Sequence, residues 1–263
     1  MNTKKRETMN GIVIIPTYNE AANIEPLVKQ ILSQPGALDI LIVDDNSPDG
    51  TGRIASALAS DWALSNGRVN VLHRPGKEGL GRAYLAGFAW ALKRSYEFLI
   101  EMDADFSHDP IYLPRLLDAA QDADVVLGSR YLHGISVVNW PLQRILLSWG
   151  ANQYVRRVTG LQANDCTSGY RLYRREALEA MDLSSVTSNG YSFQVEMAFR
   201  AHQAGFRIVE VPIVFTERRS GHSKMSRGVI WESILVPFKL RRGAKRTNRT
   251  GERDLAPPIR KAA

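Results

Sequence analysis

Two carboxylates, Asp103 and Asp105, stand one residue apart where an apolar run ends, in a stretch that reads FLIEMDADFSH from Phe98 to His108. Phe98, Leu99 and Ile100 have the length and character of a buried strand. Alternate residues of extended chain point the same way, so both carboxylates can face one spot at that strand's C-terminal end. In open α/β sheets this is the end that binds ligands. Paired carboxylates there suit a hard divalent cation, Mg²⁺ or Mn²⁺, which also holds substrate phosphates. Taken alone, the same pair reads equally well as two solvated loop acids.

The elements that must position this pair alternate. Gly11–Ile15 reads as a first strand, closed by Pro16–Glu20, with Asn19 as the expected N-cap of a helix to about Ser33. Strands follow at 38–43 and 69–73, helices at about 51–64 and 80–93, then the strand that ends at the carboxylates. A helix at 111–120 and a strand at 124–128 complete the regular part. Such alternation calls for an α/β, Rossmann-like, mostly parallel sheet with helices on both faces. Beyond it, helices are expected at 141–158, 193–204 and 229–240, a loop at 164–171 and a last strand at 207–215. No Gly-x-Gly-x-x-Gly follows the first strand and no Walker A lysine loop exists, so phosphates must be held another way.

The net charge of +7 is localised. From residue 239 onward nine Lys and Arg face two acids, while residues 1–238 are neutral overall. A basic tail suits anionic lipid or nucleic acid, or simply solubility. The single cysteine, Cys166, excludes an intrachain disulfide and reads as a small buried residue. No run of eighteen apolar residues is present, and the first ten residues lack the apolar stretch of a signal peptide. The expected organisation is a flexible N-terminus (1–10), one catalytic domain (11–228), an amphipathic helix (229–242) and a basic tail (243–263).

Taken together, the ordered motifs resemble glycosyltransferase family two, and within it the polyprenol-phosphate (dolichol-phosphate) mannose synthases. The carrying residues are Pro16-Thr-Tyr-Asn-Glu20, Asp44-Asp-Asn-Ser-Pro-Asp-Gly-Thr51, Gly79-Leu-Gly81, Asp103-Ala-Asp105 with Ser107-His108, and Gly128-Ser-Arg-Tyr131. Thr167-Ser-Gly-Tyr-Arg171, Asn189-Gly-Tyr191, Val211-Pro-Ile213, Arg218, Gly221, Ser223 and Lys224 continue the set. The resemblance implies a GT-A fold, GDP-mannose as donor, a polyprenyl phosphate acceptor and Mg²⁺ or Mn²⁺. It implies that Pro16, Tyr18 and Glu20 contact the nucleotide, with Val43 and Asp45 beside base and ribose. Asp103 and Ala104 would line the diphosphate. Asp103, Asp105 and Ser107 would hold the metal, Ser107 standing where some members carry glutamine. Arg130, Arg218 and Lys224 would meet phosphates and, with Asp105, carry catalysis. Arg144 would take the acceptor phosphate, and Ser192 is counted among the substrate-binding residues.

The chemistry fits these residue types. A phosphate monoester has its second pKa near about 6, so the nucleophile is largely ionised at neutral pH and needs no general base. Arginine's planar fork pairs phosphate oxygens bidentately. The Gln-x-x-Arg-Trp signature of processive polysaccharide synthases is missing. Each residue also has a duller reading. Arg130 and Arg144 could be surface ion pairs, Tyr18 and Tyr191 packing residues, and Asp49 a helix cap. Glu196 reads as structural or as a contact to the 217–224 loop, and His108 and His222 as isolated. The alternatives are a polyprenyl-phosphate glucosyl- or aminosugar transferase, a nucleotidyltransferase, and a nucleotide- or nucleic-acid-binding protein without turnover; nucleic acid is the less expected partner. The apolar positions of 141–158 and 229–240, next to basic residues, suit peripheral attachment at the inner face of the cell membrane. That attachment would be direct or through a membrane-protein anchor.

Overall fold

The chain is described from a computed structural model, which covers residues 10–61, 68–217 and 234–243. Nine strands are found among these residues: β1 (Gly11–Thr17), β2 (Asp39–Asp44), β3 (Val69–His73), β4 (Phe98–Glu101), β5 (Val125–Ser129), β6 (Val137–Val138), β7 (Arg171–Arg174), β8 (Ile208–Pro212) and β9 (Phe215–Thr216). The helices are α1 (Ile24–Leu32), α2 (Thr51–Ser60), α3 (Leu80–Leu92), α4 (Leu113–Ala119), α5 (Leu142–Thr159), α6 (Arg175–Ala180) and α7 (Gly190–Gln203). A further helix, α8, occupies 234–243.

Seven strands form the main sheet in the order β3-β2-β1-β4-β7-β5-β8. All neighbours are parallel except β7, which runs antiparallel to both β4 and β5. Strand order reverses beside β1, where β2 lies on one side and β4 on the other, so the crevice above these ends is the place for a ligand. The central strands are apolar on both faces, as a sheet covered on both sides requires. On β1, Ile12 and Ile14 join the layer under α3 and α7, while Val13 and Ile15 join the layer with α1 and α4. Helix α3 lies close on the sheet because of Gly87, where an added Cβ would come 2.5 Å from Ile14. A small parallel pair, β6 with β9, stands apart from the main sheet.

Three expectations change. Asn19 does not cap α1: it adopts φ 64°, and the helix starts five residues later with Asn23 at its cap position. The amides that would seek a cap are bonded elsewhere, Asn19 N to Ser47, Glu20 N to Thr51 and Ala21 N to Asp49. The stretch after the expected 164–171 loop is a central strand, β7, followed by α6. The expected strand at 207–215 is two, because Ile213 and Val214 leave the main sheet and Phe215 pairs with Val137. Of the expected helix at 229–240, residues 229–233 lie outside the described residues, as do residues 244–263 of the basic tail.

Candidate active site

The strand ends gather most of the expected residues. Pro16 pairs with Val43 and Thr17 with Asp44 where β1 and β2 finish. Asp45 N then donates to Thr17 O at 3.1 Å, closing the two strand ends together. Asp44 is buried and accepts from Thr17 Oγ1 at 3.1 Å and Ser47 Oγ at 2.6 Å. Gly52 allows this packing, since a Cβ there would lie 2.6 Å from Asp44 Oδ2. Asp45 is ion-paired to Arg74; burial raises its carboxyl above the ordinary range against the pull of that guanidinium. Tyr18 is half-buried, with Lys77 Nζ 4.0 Å over its ring. Glu20 accepts from Asn23 at 2.8 Å. Asp49 accepts from Thr51 N and Oγ1, an Asx turn that leads into α2, while Gly50 takes the cap position itself with φ 90°.

Val43 and Ala104 need a restriction. Val43 is fully buried in the core and Ala104 is 4% exposed and packed into the opposite layer. A ligand can meet only their backbone, whatever the residue type.

The Asp-x-Asp turn follows β4. Asp103 Oδ1 accepts from the Tyr84 hydroxyl at 3.2 Å, and Asp103 N donates to His108 Nδ1 at 3.0 Å. Asp105 Oδ1 accepts from Ser107 N at 3.0 Å. Ser107 is buried and its Oγ has no hydrogen-bond partner. An orphaned buried oxygen beside two carboxylates is a set of hard donors, which fits Mg²⁺ or Mn²⁺. Among the described residues no group of three His, Cys, Asp or Glu could hold an ion alone.

His108 is not isolated. It is buried, stacks on Tyr170 at 4.9 Å between ring centroids and meets the edge of Phe215 at 5.7 Å. Burial lowers its pKa below the ordinary imidazole value, against the pull of Asp103 and Asp105. Phe215 continues to the next basic residue, lying 5.4 Å from the Arg130 guanidinium.

Arg130, just past β5, is buried and committed. Its Nε and Nη2 donate to the two oxygens of Asp165, each at 2.7 Å, and Nη2 also donates to Thr167. Burial pushes the Asp165 carboxyl up, but the Arg130 charge and hydrogen bonds outweigh it and hold it below the ordinary range. Glu210 of β8 fixes this partner in turn by accepting from the backbone of Asn164 and Asp165. Neither Asp165 nor Glu210 was expected from the sequence. The signal available was indirect: an arginine this deep requires a carboxylate partner, and motif spacing does not name it.

Arg144 lies on the first turn of α5, ion-paired to Glu217 and over the Trp140 ring at 3.9 Å. Arg130, Arg144, Tyr191 and Ser192 line one apolar cavity of about 400 Å³, walled by Leu146, Val155, Val195 and Ile234. Helix α8 closes it, with Tyr154 OH donating to Ile234 O at 2.6 Å and Arg241 donating to Val158 O at 2.8 Å. Glu196 is structural, bound to Arg200 and to Ser188 N. Cys166 is buried, its thiol pushed up to about 12 by burial. Arg218, Lys224 and His222 lie outside the described residues.

Residues 12–182 match the model of glycosyl transferase family 2. The chain belongs to this family. Among curated relatives of this transferase, the polyprenol monophosphomannose synthase of Mycolicibacterium smegmatis is 52% identical over 231 residues, 87% of this chain and 86% of that protein. The undecaprenyl-phosphate mannosyltransferase of Micrococcus luteus is 48% identical over 227 residues, 86% of this chain and 92% of that protein. Among solved structures, glucosyl-3-phosphoglycerate synthase from Mycobacterium tuberculosis, in complex with Mn²⁺, uridine diphosphate and glucosyl-3-phosphoglycerate, superposes with a TM-score of 0.60. It is 18% identical, with 89% of this chain and 80% of that chain covered. That likeness shows the fold, which is GT-A.

Proposed function

We propose that this transferase moves mannose from GDP-mannose to a polyprenyl phosphate, with inversion at the anomeric carbon. The observation that carries the reading is the join of two unlike sites. An Asp-x-Asp turn at the sheet's switch point adjoins, through His108 and Phe215, an apolar cavity that holds Arg130 and Arg144. Two relatives near half identity are named for mannosyl transfer to a polyprenyl or undecaprenyl phosphate, which supports the same acceptor and sugar here.

In this reading the nucleotide lies over the ends of β1 and β2, near Pro16, Tyr18, Glu20 and Asp45. Its diphosphate reaches the Asp103–Asp105 turn, where Asp103, Asp105 and Ser107 hold Mg²⁺ or Mn²⁺. The bound cation offsets the charge that gathers on the leaving diphosphate. Arg218 and Lys224 are assigned the same task from sequence alone. The acceptor phosphate enters the cavity at Arg144, exchanging with the Glu217 carboxylate, and the first isoprene units lie along its apolar wall. A phosphate oxygen attacks the anomeric carbon, the bond to the GDP oxygen breaks, and GDP leaves with the electron pair. No proton moves, because the phosphate is already ionised. Arg130 is neutralised and held by Asp165, so it presents the cavity with a fixed guanidinium rather than a free charge. Attachment at the membrane through α5 and the 229–249 region brings the enzyme to a lipid that stays in the bilayer. None of the described helices is long and apolar enough to cross a membrane.

The test is a transfer assay with purified protein, Mn²⁺ or Mg²⁺, a polyprenyl phosphate, and GDP-mannose or UDP-glucose in parallel. Mannolipid formed from GDP-mannose and lost in Asp105→Ala is the expected result. Product from UDP-glucose alone would overturn the sugar while keeping the scaffold.

A further inference from the structure

His108 belongs to the Asp-x-Asp turn by sequence yet is 1% exposed, which removes it from any direct contact with a bulky donor. Its place is set by the turn itself. Phe106 takes φ 63°, a left-handed conformation that side chains rarely adopt, and this folds the chain back so that residue 108 returns to residue 103. Asp103 N–H donates to His108 Nδ1 at 3.0 Å and ties the two ends of the return together. Because Nδ1 accepts, the ring carries its hydrogen on Nε2, which faces Asp103 Oδ2 at 3.9 Å. The ring cannot swing away, since Tyr170 stacks on one face at 4.9 Å and Phe215 meets it edge-on. Tyr170 is itself tied back to the turn, its hydroxyl donating to Asp109 O at 3.1 Å.

We infer that His108 is a positioning residue: by gripping the Asp103 amide it holds the turn in the one register that presents Asp103 and Asp105 together to the donor's diphosphate and its cation. The inference rests on the donor-site reading above. It treats the imidazole as a fixed acceptor and not as a ligand, acid or base. The same ring abuts Phe215, which faces Arg130, so the clamp also fixes where the donor turn meets the acceptor cavity.

Asparagine and glutamine separate position from bulk. The Asn Oδ1 atom can stand where Nδ1 stands, whereas the longer Gln matches histidine better in size but carries its polar atoms farther out. Two readouts apply to the full chain: hydrogen exchange at the Asp103 amide, and Mn²⁺ affinity in the presence of GDP. His108→Asn is expected to keep the amide protected and Mn²⁺ affinity within about threefold of native. His108→Gln is expected to expose the amide and to weaken Mn²⁺ about tenfold or more, the loss typical when a group orienting a metal ligand is removed. Equal protection of the Asp103 amide in His108→Gln and the native chain overturns the clamp. So does a ranking in which Gln binds Mn²⁺ as well as or better than Asn, as a space-filling role requires. If native protein shows no Mn²⁺ binding that Asp105→Ala removes, the metal reading fails instead, and the exchange measurement still decides whether His108 grips the turn.

Discussion

The two halves of the site are built by opposite means. On the proposed donor side the described carboxylates sit within a few residues of a parallel strand end and are tied down by polar bonds: Asp44 to Thr17 and Ser47, Asp45 to Arg74, Asp103 to Tyr84 and His108. On the proposed acceptor side the groups come from separate elements, Arg130 past β5, Arg144 on α5 and Ser192 on α7, and α5 and α8 supply the apolar wall. Helix α5 leaves Leu142 69% and Trp149 48% exposed and buries few residues of its own. Under the proposed function the difference follows from what each side binds. A diphosphate needs fixed charges at fixed distances, and a sheet edge supplies them because strand register is set by the buried pattern on both faces. A flexible isoprenoid needs apolar area without precise geometry, which two loosely covered helices supply.

The largest effect should come from the donor turn. Asp105→Ala should cut transfer at least about a hundredfold, the scale for losing a group that stabilises developing charge. Far-UV circular dichroism should stay native, because Asp105 lies beyond the end of β4. A variant that retained a tenth of native turnover would break the contrast between a fixed and a tolerant half.

Next is the buried pair under the acceptor cavity. Asp165→Ala leaves Arg130 charged and buried, at a cost of about 3–5 kcal/mol in stability. A melting curve should show a drop of many degrees. The pH dependence has a definite sign. The folded-state pKa of Asp165 is depressed, so its stabilisation is complete above the unfolded-state value of about 4 and lost as pH falls through the lower folded value. Native protein should therefore lose stability more steeply on acidification below about pH 4 than Asp165→Asn does. Parallel acid limbs in the two proteins would contradict a depressed Asp165.

The same contrast decides what could be read without coordinates. The donor carboxylates were legible because a local pattern marks them: Phe98–Ile100 as buried strand, then Asp103 and Asp105, with Asp49 as the Asx turn before α2. In the acceptor half Arg130, Arg144 and Ser192 were legible as motif residues, but the carboxylates that hold the two arginines were not, because no pattern names a partner distant in sequence. Asp165 meets Arg130 across 35 positions and Glu217 meets Arg144 across 73. Strand β7 was missed for a related reason. It is four residues long, begins with the buried charge of Arg171 and pairs antiparallel inside an otherwise parallel sheet. Nothing in its own residues signals that all three Arg171 bonds go to main-chain oxygens of Cys166, Ser168 and Gln194. His108 was read as isolated because its partners, Tyr170 and Phe215, are brought to it only by the fold.

A smaller, more selective change is expected at Arg144. A hydrogen bond to a charged group contributes about 1.5–3 kcal/mol, so Arg144→Ala should raise the KM for polyprenyl phosphate about tenfold or more. The KM for GDP-mannose should move less than about twofold, since Arg144 lies on α5 and not at the donor strand ends. Glu217→Gln sharpens the point. If the carboxylate merely stands where the acceptor phosphate binds, removing its charge lowers the acceptor KM. If it orients Arg144 for the phosphate, the same change raises it.

The smallest effect should be found on the exposed apolar face. Leu142 and Trp149 each keep much of their surface in water, so replacing either removes little folding energy, unlike a fully buried residue of the same kind. Leu142→Ser and Trp149→Ser should unfold within about 0.5 kcal/mol of native, the range for surface substitutions away from a packed core. If the face lies in the bilayer, those residues contribute there what they do not contribute to the fold. Binding to anionic vesicles should then weaken severalfold in each variant, while transfer to a short, water-soluble polyprenyl phosphate stays near native. The vesicle and soluble assays must therefore diverge. Equal loss in both would place Leu142 and Trp149 inside the acceptor site, and no loss in either would leave attachment to the region beyond α5 or to a membrane partner.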